Sequence, residues 1–182
     1  MIKAFLFENF KSFDKARLDL ENLTILIGSN SGGKTNAIEG IRILSEIATG
    51  RDFSIILDGS KNVDSDIRGG SRGCPKLNSN HFGLGCILEL SDEFELQYMV
   101  KVKIGERIYV EEESLSKRAT DGQVELIFKT KRPQKDSGDI KVEYNNGKKG
   151  TNPDIICVRS SAILPQMASK MAMDSERLKE NV

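Results

Sequence analysis

The segment Leu23-Thr24-Ile25-Leu26-Ile27-Gly28-Ser29-Asn30-Ser31-Gly32-Gly33-Lys34-Thr35 runs from an apolar stretch into a glycine-bearing loop. Its first five residues carry no charge and are mostly branched aliphatics. A short continuous run of that kind predicts a strand buried on both faces. The eight residues from Gly28 to Thr35 then fit the spacing of a phosphate-binding loop, Gly-x4-Gly-Lys-Thr. Glycines let backbone N–H groups turn inward and approach an anion closely. A helix opening directly behind the loop adds the positive end of its dipole. In this pattern Lys34 supplies a point charge for the β- and γ-phosphates, and the Thr35 hydroxyl is placed to ligate Mg²⁺. The competing reading is a glycine-rich turn with an exposed lysine. The flanking strand and helix disfavour it.

The helix behind the loop is legible. Ala37, Ile38, Ile41, Leu44, Ile47 and Ala48 recur at spacings of three and four, an amphipathic pattern of about four turns, with Gly50 as a stop signal. Gly40, inside the helix, costs roughly 1 kcal/mol relative to Ala and reads as a close-packing position. Upstream, residues 2–10 and 16–27 read as strands joined by a turn at Asn9–Asp14.

Downstream, residues 58–80 are rich in Gly, Ser and charge and read as a surface loop. From His81 the signal becomes strand after strand: Phe82–Leu90, Phe94–Ile104, Arg107–Leu115, Gln123–Lys131 and Ile140–Tyr144. Turn residues separate them at short spacing, which argues antiparallel hairpins. Asp154–Val158 is a further short strand, and residues 159–182 read as the start of a helical segment.

Whole-chain numbers set bounds. The 182 residues are 38% hydrophobic and 30% charged, with 27 Lys plus Arg against 27 Asp plus Glu. That is the balance of a globular domain, and the net charge gives no general pull toward nucleic acid. No run approaches the roughly 18 apolar residues of a membrane helix, so no membrane partner is expected. Three scattered cysteines argue against a disulfide framework or zinc site and fit a cytoplasmic protein. His81, the single histidine, has no metal-binding or catalytic partner in sequence and reads as a surface residue.

Phe7-Glu8-Asn9-Phe10-Lys11-Ser12-Phe13, followed by Leu26-Ile27-Gly28-Ser29-Asn30-Ser31-Gly32-Gly33-Lys34-Thr35-Asn36-Ala37-Ile38-Glu39, resembles the N-terminal lobe of RecF/SMC/OLD-like ATPases of the ABC superfamily. In bacterial genomes these are often labelled AAA family ATPases. The likeness is strong over residues 1–50 and weaker over 81–130. Asn30 and Asn36 match that family. Ser31-Gly32 stands where Gly-Ser is usual, which keeps one small flexible residue. The resemblance implies an α/β (mixed α+β) P-loop NTPase fold, an ABC-ATPase-like N-terminal lobe with a large antiparallel β-subdomain. It implies ATP and Mg²⁺ as ligands, held by Asn30, Ser31, Gly32, Gly33, Lys34, Thr35 and Asn36. It also puts Lys11 and Ser12 near the base and phosphate side. Gln166 becomes the candidate for the family's Q-loop glutamine, which helps hold Mg²⁺ and the attacking water. The plainer reading of Gln166 is an ordinary polar residue at a helix start after Pro165.

A hydrolysing site of this family also needs an apolar strand ending in Asp-Glu, a Ser-rich signature loop and a switch histidine. Phe53-Ser54-Ile55-Ile56-Leu57-Asp58 ends in Asp but comes early and continues with Gly59. Ile155-Ile156-Cys157-Val158 ends without a carboxylate. Leu44-Ser45 and Leu115-Ser116 lack the signature's glycines. The expectation is therefore an incomplete ATPase head, binding nucleotide weakly alone and hydrolysing little. Such heads form homodimers around a nucleotide sandwich. DNA is a possible partner, touched by the basic stretches Lys129–Lys135 and Asn145–Lys149. The alternative is a non-enzymatic, nucleotide-gated module that controls an effector protein.

Overall fold

The computed structural model describes residues 1–30, 32–60, 63–134 and 137–170. Eight strands form one sheet: β1 (Ile2–Phe10), β2 (Phe13–Asp19), β5 (His81–Ser91), β6 (Phe94–Lys103), β7 (Tyr109–Ala119), β8 (Val124–Thr130), β9 (Asp139–Tyr144) and β10 (Asp154–Val158). Their order is β10-β9-β8-β7-β6-β5-β1-β2, and every neighbouring pair is antiparallel. Consecutive strands pair because short turn-bearing links favour hairpins. The exception is β5, which returns from residue 81 to lie against β1. A two-stranded ribbon, β3 (Gly59–Ser60) and β4 (Val63–Asp64), stands apart.

Two helices cover the inner face: α1 (Lys34–Ile47) and α2 (Phe53–Asp58). Residues 163–170 are also helical. α1 buries Ala37, Ile43, Leu44 and Ile47, the stripe its 3.6-residue period requires. Each fully buried Ile or Leu contributes roughly 1.5–3 kcal/mol. Opposite it lie Phe7, Phe10, Phe82 and Leu84, all buried, with the Phe10 and Phe82 rings 5.6 Å apart. Gly40 sits where α1 meets those rings: an added Cβ would stand 2.7 Å from Phe7 Cε1 and 3.0 Å from Phe10 Cε1. Close approach explains a glycine at mid-helix.

Two local readings need correction, and one rejected candidate takes a form of its own. The turn between β1 and β2 is tighter than Asn9–Asp14, because Phe10 pairs with Phe13 and leaves only Lys11 and Ser12 between them. Phe53–Asp58, the apolar run that did not qualify as the acidic strand, is a helix. The Asp52 carboxylate accepts from the Ser54 N–H, and Phe53, Ile56 and Leu57 fall on one helical face. The largest departure is Leu23–Ile27. Leu23, Ile25, Leu26 and Ile27 are 78%, 68%, 37% and 87% exposed, and the segment pairs with no strand among the described residues. A strand buried on both faces needs a hydrogen-bonded neighbour and a packed layer on each face; β1 and β5 are already paired on both edges, and the segment does not pair along the open edge of β2.

At the far end of the sheet β10 presents Ile156 and Val158 outward, with its open edge covered by the helical stretch. The Gln166 side chain accepts from Val158 N–H at 3.0 Å and donates to Val158 O at 2.8 Å. The Lys170 ammonium bonds to Ile156 O.

Candidate functional site

The loop leading into α1 opens on Gly33, at φ 80°. That left-handed conformation favours glycine, and space forbids a side chain as well: a Cβ there would meet Phe13 Cε1 at 3.1 Å and Ser12 Oγ at 3.3 Å. Gly32 N–H closes the turn on Ser29 O at 3.0 Å. The first turn of α1 has no side-chain cap and no acidic residue, so its N–H groups stand open to an anion. Lys34 folds back over the loop, its ammonium donating to Gly28 O at 2.7 Å and Ser29 O at 2.6 Å. Thr35 is exposed on the first turn. Ser31 lies outside the described residues, and Asn30 is exposed at the loop's tip.

Ser12 and Asn36 come together beside Gly33: Asn36 Nδ2 donates to Ser12 Oγ at 2.9 Å. Lys11 does not face the loop, and it is not a solvated turn residue either. Its side chain is 8% exposed and its ammonium lies 3.0 Å from Glu39 Oε2. It also donates to Arg68 O at 3.0 Å. Lys11 adopts φ 48°, a conformation a tight hairpin turn asks of its first central residue.

Glu39 ties this corner together and was invisible in sequence, as was Arg68. The Glu39 carboxylate accepts from the Arg68 backbone N–H at 2.6 Å and from its guanidinium at 3.2 Å. Burial pushes the Glu39 carboxyl up, but the Lys11 ammonium and the Arg68 donors outweigh it and hold it below the ordinary value. The Arg68 guanidinium also donates to Asn36 Oδ1 at 2.7 Å. Only the position of Glu39 at i+3 from Asn36 on one helix face hinted at this. Nearby, burial pushes the Cys74 thiol up to about 12, so it stays protonated and unreactive.

Gln166 belongs elsewhere. Its helix begins beside the other end of α1, where a Cβ on Gly50 would meet Pro165 at 3.1 Å. α1 has 14 residues and is therefore roughly 20 Å long. The Gln166 amide is committed to Val158 and, at 3.1 Å, to Ala162 O. His81 is half-buried, its Nε2 3.1 Å from Asn9 Nδ2. Met167 is buried in the core, whereas Met171 and Met173 lie outside the described residues. Of the basic stretches, Lys129, Lys131 and Arg132 line a trough of about 1510 Å³ on the outer sheet face, together with Lys101, Lys103 and Arg107. Glu106, Glu111 and Glu112 share its walls. Lys135 lies outside the described residues.

A helix start without a cap, a lysine over the loop and an antiparallel sheet beside it define a mixed α/β domain suited to anion capture. The family model described as "AAA ATPase domain" matches residues 1–169, and the chain belongs to that family, one of nucleotide-binding ATPases. No curated protein and no solved structure matches the chain. No helix among the described residues is long and apolar enough to cross a membrane.

Proposed function

We propose that residues 28–35 bind ATP with Mg²⁺, and that the chain is the N-terminal lobe of an ABC-type ATPase head. The observation that carries this is the uncapped start of α1 behind Gly33, with Lys34 laid over the loop. A triphosphate offers that ammonium a charged partner in place of two neutral carbonyls, a stronger bond. Backbone N–H groups of the loop and of Lys34 and Thr35 would hold the phosphates, and the Thr35 hydroxyl would hold the metal. Asn30 and Ser31 belong to the loop by sequence, and Asn36 stands on the first turn of α1 with its amide on Ser12. Bound Mg²⁺ would neutralise charge between the phosphates. Gln166, held on Val158 at the other end of α1, would reach that metal only if its whole helix moved.

The exposure of Leu23–Ile27 supports an incomplete head. An apolar extended segment with open backbone groups is stable only when paired. In the complete head, ATP would hold two copies together around shared nucleotide. Work on DNA, in repair, processing or anti-phage defence within the cytoplasm, would draw on the lysines and arginines of the mixed-charge trough on the outer sheet face. The second reading, a nucleotide-gated module controlling an effector protein, draws on the same exposed segment as a docking element.

Titration of the chain with Mg-ATP tests the core of this. Lys34→Ala should weaken binding at least tenfold, about 1.4 kcal/mol; equal binding by both proteins would overturn it. Robust turnover by the chain alone, abolished in Lys34→Ala, would overturn the half-site reading. DNA affinity that falls steeply with salt favours the first role over the second.

A further inference from the structure

We infer that Glu39 is a positioning residue of the nucleotide site, aligning Arg68, Asn36 and Ser12 against the first turn of α1. This rests on reading residues 28–35 as that site. Three separate segments meet on one carboxylate: the β1–β2 turn through Lys11, the 65–74 loop through Arg68, and α1 itself. Glu39 is 7% exposed. Its Oε1 takes the Arg68 backbone N–H at 2.6 Å. Its Oε2 takes the Lys11 ammonium at 3.0 Å and the Arg68 guanidinium at 3.2 and 3.4 Å. Lys11 in turn holds Arg68 O. The N–H, the carbonyl and the side chain of Arg68 are thus all fixed by one buried ion pair.

What the pair fixes points toward the loop. The Arg68 guanidinium reaches Asn36 Oδ1 at 2.7 Å, Asn36 Nδ2 reaches Ser12 Oγ at 2.9 Å, and Ser12 Oγ lies against Gly33. The relay ends at the residue that opens α1. A buried ion pair is not needed for stability, since apolar residues of similar volume often serve as well. This one instead leaves the Arg68 side chain 61% exposed beside a helix whose first turn carries no acidic residue. A cation so placed raises the local positive potential where phosphates would sit.

Mg-ATP titration and thermal melting of the full chain test this with Glu39→Gln, Arg68→Gln and the double variant. Arg68→Gln leaves the Lys11–Glu39 pair in place, so it remains informative if Glu39→Gln fails to fold. Expected is a loss of ATP affinity of roughly fivefold or more in each single variant, with the double no worse than either. For Arg68→Gln the melting temperature should hardly change, which a purely structural role does not predict. If Lys34→Ala weakens binding while Arg68→Gln and Glu39→Gln leave it unchanged, the positioning role falls and the nucleotide site stands. If all three leave binding unchanged, the site reading falls and takes the positioning role with it.

Discussion

The carboxylate of Glu113 on β7 accepts the backbone N–H of Ile163 at 2.7 Å, so a strand residue caps a helix that begins fifty positions later. Glu113 also takes the Leu164 N–H at 2.8 Å and the Tyr98 hydroxyl at 3.0 Å. Burial pushes its carboxyl up to about 7 against the pull of those donors.

A pH dependence follows. Between the ordinary value of 4.5 and about 7, the folded chain keeps a proton that the unfolded chain has lost. Glu113 therefore makes stability fall as pH rises through that window, by up to about 3 kcal/mol. Glu39 acts in the opposite sense: its lowered value gives stability present above the ordinary carboxylate range and lost as pH falls below it. Urea midpoints from pH 4.5 to 8 should decline in wild type and flatten in Glu113→Gln. Parallel curves would remove Glu113 from the account.

Gly40→Ala should destabilise although alanine is the better helix former. The helix gains about 1 kcal/mol, but the new methyl enters the space of Phe7 and Phe10, an overpacking cost of about 1–3 kcal/mol. A lowered melting temperature is expected. A rise would mean that the two rings move aside freely.

Gly33→Ala tests the start of α1. Its positive φ alone costs roughly 1 kcal/mol in a residue with a side chain, and Phe13 and Ser12 stand in the way. ATP affinity should drop more than melting temperature does. Unchanged affinity would separate the loop's shape from its ligand.

Gln166→Leu removes two hydrogen bonds from the β10 edge at similar volume. The expected cost is about 1–2 kcal/mol, with faster hydrogen exchange at the Val158 amide. The Mg²⁺ dependence of ATP binding should be unaltered. A marked change there would show that the β10 edge is coupled to the nucleotide site.

Much of the fold is visible in the residues themselves. The 3.6-residue stripe of α1 and the turn-punctuated runs from His81 to Tyr144 are local signals, and the strands fall within a few residues of where those signals put them. The failures are of a different kind. Leu23–Ile27 has the composition of a buried strand, but burial depends on neighbours that composition does not supply. Glu113 escaped because β7 carries a bulge. Val110 pairs with Val102 but Glu112 pairs with Lys101, so one extra residue resets the alternation and turns Glu113 inward beside Val110. Lys11 and Arg68 escaped because their partner Glu39 lies far off in sequence. Spacing describes one element at a time, and the buried ion pair belongs to three.

The bare strip from Leu23 to Ile27 has a practical cost for anyone handling the chain in isolation. Five uncharged residues of high β-propensity, with no proline, form the kind of window that seeds intermolecular cross-β pairing. The nearest charged residue before the strip is Glu21, and none follows until Lys34, so few gatekeepers flank it. Because the strip runs straight into the glycine-rich loop before α1, self-association there would also crowd the loop's mouth. Solubility and ligand occupancy become linked quantities, and a chain that clumps on storage should be rescued by a charged substitution at Ile25 or Ile27 before any change elsewhere.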